Sequence, residues 1–70
     1  MSGNNGPKKV IAEVTNNPGS SINEIATLTG LDVHDIVFII NAWKTQSIVS
    51  TDTNPVEHYT RVWRIPVLKK

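Results

Sequence analysis

Apolar positions along this chain fall into three helical stripes followed by two alternating runs. Val10, Ile11 and Val14 recur at i, i+1 and i+4, which predicts a first helix over about residues 7–15. Ile22, Ile25, Ala26 and Leu28 predict a second, shorter helix, and Val33, Ile36, Ile39, Ile40 and Trp43 a third, ending near Gln46. At about 100° per residue, His34, Val37, Phe38, Asn41 and Thr45 lie away from the centre of that third stripe. The period then changes. Ile48-Val49-Ser50-Thr51 is a short β-branched run, and Tyr59 to Ile65 alternates. In the second run, Tyr59, Arg61, Trp63 and Ile65 share one face and Thr60, Val62 and Arg64 the other. Trp63 and Ile65 are expected to return to the core near Trp43.

Stop and start signals separate the stripes. Pro7 suits a first helical turn, where its missing N–H is not needed. Asn16-Asn17-Pro18-Gly19 ends the first helix. Ser21-Ile22-Asn23-Glu24 has the form of a capping box, in which hydroxyl and carboxylate each satisfy the other residue's backbone N–H. Thr29-Gly30 ends the second helix, Leu31 plugs the turn and Asp32 caps the third helix. Asp35 sits in that helix's first turn, where negative charge is favourable. Two helices joined through a short glycine turn form the helix-turn-helix pattern. Ser47 falls where a left-handed residue must stop the third helix. Asp52-Thr53-Asn54-Pro55 supplies turn residues between the two strands, so these make a hairpin, ended by Pro66.

With 70 residues, the chain has room for one small core. Residues 1–6 read as a polar tail, 7–66 as the domain and 67–70 as a basic C-terminal tail. The absence of cysteine excludes disulfides and thiolate metal sites. No apolar run approaches the roughly 18 residues of a membrane span, and the N-terminus has no signal-like apolar segment. The expectation is a soluble intracellular protein, cytoplasmic or in the nucleoid or nucleus. Net charge is +1 but uneven: residues 10–57 carry −5, whereas residues 58–70 carry +4 and Lys8 and Lys9 a further +2. Such asymmetry points to a nucleic-acid or membrane contact, or to charged ends that keep a small domain soluble.

Catalytic chemistry finds no constellation. His34 and His58 lie in different elements, no glycine-rich phosphate loop exists, and no serine sits in a nucleophile motif. The expectation is therefore no enzyme, cofactor, metal or small-molecule substrate. Trp43 and Trp63 are read as core, while Tyr59 stays open as a base-stacking residue.

Three helices followed by a hairpin resemble the winged helix-turn-helix family over about residues 7–66. The local match rests on Ile36, Ile40, Trp43, Ser47, Ile48 and Val49, with serine where that family commonly has glycine, and on Trp63-Arg64-Ile65 as the return strand of a wing. Winged helices that bind left-handed DNA place asparagine and tyrosine where this chain has Val37 and Asn41, so that narrower family is set aside. The resemblance implies an α+β fold with a third helix that reads duplex DNA in the major groove, as a transcriptional regulator. His34, Val37, Phe38, Asn41 and Thr45 would face the groove, while Lys44, Arg61 and Arg64 would neutralise phosphates. The competing expectation is a protein-interaction module, or a homodimer contact, anchored by Val37 and Phe38 on an acidic helix start.

Overall fold

The computed structural model describes residues 6–66. Its elements are α1 (Gly6–Asn16), β1 (Ser20–Ser21), α2 (Ile22–Thr29), α3 (Val33–Thr45), β2 (Val49–Thr51) and β3 (Arg61–Arg64). The chain is α+β, with three helices beside one antiparallel sheet in the order β1-β3-β2. Gly6, expected within the tail over 1–6, is the first residue of α1. The rest of that tail and the tail at 67–70 lie outside the described residues.

The helix ends form as their sequences predict. Ser21 Oγ accepts the Glu24 N–H at 3.1 Å, and Glu24 Oε1 accepts the Ser21 N–H at 3.0 Å, completing the capping box. Gly30 takes a left-handed φ of 76° and donates to the Ala26 carbonyl at 2.9 Å. Asp32 Oδ1 accepts the His34 N–H at 2.8 Å, opening α3. Across residues 30–32 the helix axis turns by 118° from α2 to α3. At the far end of α3, Ser47 adopts φ 61°. Its N–H donates to the Lys44 carbonyl, and the Ile48 N–H donates to the Trp43 carbonyl at 2.8 Å. This is the Schellman arrangement, with serine in the place that glycine fills most easily.

The core takes one stripe from each helix: Val10 and Val14, Ile22 and Ile25, Ile36 and Ile40. Val49 and Val62 cover it from the sheet and Val56 from the β2–β3 loop. Each fully buried aliphatic side chain stabilises the fold by about 1.5–3 kcal/mol of transfer free energy. Val33, Val37, Ile39 and Trp43 flank the helical stripe, half-buried against it.

Two sheet features depart from the sequence reading. First, β3 is the central strand. The Gly19 N–H donates to the Val62 carbonyl at 2.9 Å and the Ile22 N–H to the Thr60 carbonyl at 3.0 Å, so the α1–α2 connection adds β1 as a third strand. Second, the inward residues around β3 are Thr60 and Val62, with Trp63 on the other face, 36% exposed. Trp63 covers Gly19 instead of entering the core: a Cβ on Gly19 would stand 3.3 Å from the indole Nε1. The helices present their apolar stripes to only one side of the sheet. An alternating strand must choose a single phase, and the small Val62 joins the buried aliphatic cluster where the larger indole of Trp63 stays outside. Ile65 is half-buried, its N–H donating to the Ile48 carbonyl at 2.9 Å, and it shares a hollow with Trp43 as expected.

Candidate nucleic-acid interface

α3 separates into an inner stripe and an outer face. His34, Phe38, Asn41 and Thr45 lie three or four residues apart and are all exposed, so they share the outer face. His34 Nδ1 lies 3.3 Å from the Asp32 carboxylate that caps the helix. The Thr45 hydroxyl donates to the Asn41 carbonyl at 3.1 Å, which leaves the Asn41 side-chain amide outside that bond. Its amide presents one acceptor and two donors to a ligand. Phe38 is 76% exposed and leans toward α1, where it borders a hollow with Leu31 and Ile39.

Val37 departs from its expected place: it is half-buried and packs on the core. It sits about 100° from Ile36 on the helical wheel, at the edge of the buried stripe. Lys44 is half-buried on the same flank, in the last turn of the helix. A cation there favours the carbonyl end of the helix dipole.

The two hairpin arginines do not form one patch. Arg61 and Arg64 are three residues apart on β3, so they point to opposite faces. Arg61 shares the outer face with Trp63, at the loop end of the strand. Arg64 turns toward α1, where Nη1 donates to Thr15 Oγ1 at 3.3 Å. The cationic hairpin read from the sequence is thus divided between the wing side and the α1 side.

The loop over residues 52–60 is held by Asp52 and Thr53, which the sequence marks as turn residues, together with Thr51 and the buried Thr60, whose loop role it does not mark. Asp52 Oδ1 accepts the Arg61 N–H at 2.9 Å, and the Asp52 N–H donates to the Arg61 carbonyl at 3.2 Å. Thr60 is fully buried, and its Oγ1 accepts the Glu57 N–H at 2.6 Å. Thr53 Oγ1 donates its single proton to the Pro55 carbonyl at 3.2 Å, so Thr60 supplies the proton shared between the two hydroxyls. Thr51 Oγ1 donates to the Thr53 carbonyl at 2.9 Å. The signal was present as Thr51, Thr53 and Thr60 around a turn, but threonines in turns have many other uses.

Tyr59 is exposed beside this loop. Among the described residues no group of three or more His, Asp or Glu side chains could hold a metal ion. Among the same residues no single helix is long and apolar enough to cross a membrane. Comparison with protein-family models, curated proteins and solved structures gives no match.

Proposed function

We propose that this chain is a winged-helix protein that binds duplex DNA as a small transcriptional regulator. The observation that carries the reading is the 118° turn between α2 and α3 across three residues, one of them a left-handed glycine. Helix-turn-helix units join their helices at about 90–120° through such turns, and the second helix enters the major groove. His34, Asn41 and Thr45 occupy the outward face of α3, which the fold does not use. Asn41 would read an adenine edge, and Arg61 on the wing side would meet a phosphate. Asp32 and Asp35 serve the α3 N-terminus, which limits the affinity of a single copy for a polyanion.

Titration of a mixed duplex pool at about 50 and about 200 mM salt tests the reading, because each neutralised phosphate contributes nearly one unit to the log–log salt slope. Arg61→Ala should lower that slope by about one. Asn41→Ala should cost about 1–3 kcal/mol at a preferred site and little on random duplex. Absence of binding at the lower salt, or binding insensitive to salt, refutes the proposal.

The exposure of Phe38 favours a second reading, a protein-interaction module. With Val37 packed inward, its anchors become Phe38 with Leu31 and Ile39. Phe38→Ala would then abolish partner binding without lowering the melting temperature.

A further inference from the structure

Two hollows flank the start of α1. The larger, about 560 Å³, opens between α1, the end of α3 and the strands, and Ile11, Trp43 and Ile65 line it. The smaller, about 340 Å³, opens between α1 and the start of α3 beside Leu31 and Phe38. Pro7 borders both, so they form one apolar seam. Among the described residues the packing leaves it open: α1 rests on α2 and β3, while α3 rests on α2 and β2. The seam also has charged ends of opposite sign. Lys8 and Arg64 border the larger hollow and Asp35 the smaller.

We propose that a second copy of this chain covers the seam. In a two-fold pair the same patch meets itself, with each residue of one end facing the other end of its mate. An axis passing near Pro7 sets the smaller hollow of one protomer against the larger hollow of its partner. The exposed Phe38 ring of each copy enters the space beside Trp43 and Ile65 of the other. Asp35 then faces Lys8 and Arg64 across the interface, twice. This charge complementarity selects a second copy over an unrelated protein, because the two-fold operation alone brings the acidic end onto the basic end. An exposed aromatic ring within an apolar seam is the composition that interface cores favour.

Sedimentation of the full chain without DNA, from low micromolar to near-millimolar concentration, tests this independently of any DNA binding. The wild type is expected to dimerise, and Phe38→Asp to raise the dissociation constant by at least about thirty-fold, as loss of a hot-spot anchor does. Leu28→Asp, at a 63% exposed position on α2 away from the seam, should dimerise like the wild type. Asp35→Lys should weaken the dimer several-fold, and adding Lys8→Glu should restore it, which decides the matter even if Phe38→Asp folds poorly. In a Trp63→Phe background Trp43 is the single indole, and its emission should shift to the red on dilution. A wild type that stays monomeric throughout overturns the proposal. So does Leu28→Asp if it disrupts the dimer as much as Phe38→Asp, or a charge swap without rescue.

Discussion

Thr60 offers the sharpest test of how the β2–β3 loop is held. The change is Thr60→Val, which keeps the branched shape and deletes only the hydroxyl. Backbone bonds of residue 60 stay: its N–H to the Glu57 carbonyl at 3.1 Å, and its carbonyl accepting from Ile22. Lost are the acceptor for the Glu57 N–H and the donor to Thr53 Oγ1. Thr60 is fully buried, so water does not replace its hydroxyl without opening the loop. An unsatisfied buried group costs about 1–3 kcal/mol. Glu57 and His58 are exposed, so part of the loss is recovered by solvent on the loop side, which places the cost near 2 kcal/mol. For a domain of this size that lowers the melting temperature by roughly 8–16 °C. Thr53→Ala removes only the outer link of the relay and should cost about 1 kcal/mol, and Thr53→Ser less. Urea and thermal unfolding followed by far-UV circular dichroism measure the energies, and hydrogen exchange at the Glu57 amide should quicken in Thr60→Val. A loss below about 0.5 kcal/mol, or Thr53→Ala costing more than Thr60→Val, would refute the one-way relay from Glu57 to Pro55.

Two further changes probe the helix ends. Ser21→Ala removes the acceptor for the Glu24 N–H and should destabilise by about 1 kcal/mol in chemical denaturation; Ser21→Gly should cost less, and a neutral Ser21→Ala would show the capping box idle. Ser47→Gly should stabilise by about 0.5–1 kcal/mol, because φ 61° strains serine and not glycine; equal or lower stability would mean that unfolded-chain entropy outweighs the strain.

Local chemistry made much of the fold legible. Helix positions follow from apolar spacing alone, since Val10/Val14, Ile22/Ile25 and Ile36/Ile40 recur at three or four residues and all become core. The caps at Ser21, Gly30 and Asp32 and the left-handed stop at Ser47 were also readable, because each depends on a side chain and the backbone within a few residues of it. For the candidate site, the same spacing correctly placed His34, Phe38, Asn41 and Thr45 on an outward face of α3.

What the sequence by itself determined is therefore the set of helices, their ends and the positions that alternate. Tertiary structure decided which alternate positions go inward. Trp63 has the larger apolar surface, yet Val62 is buried, because that choice depends on the shape of the space the helices leave. It also decided that Ser20–Ser21 is a strand: two residues carry no period, and only pairing with β3 makes them one. The inward turn of Val37 has the same origin. Periodicity is a property of one element and survives in the sequence, whereas the side on which an element finds cover belongs to its neighbours.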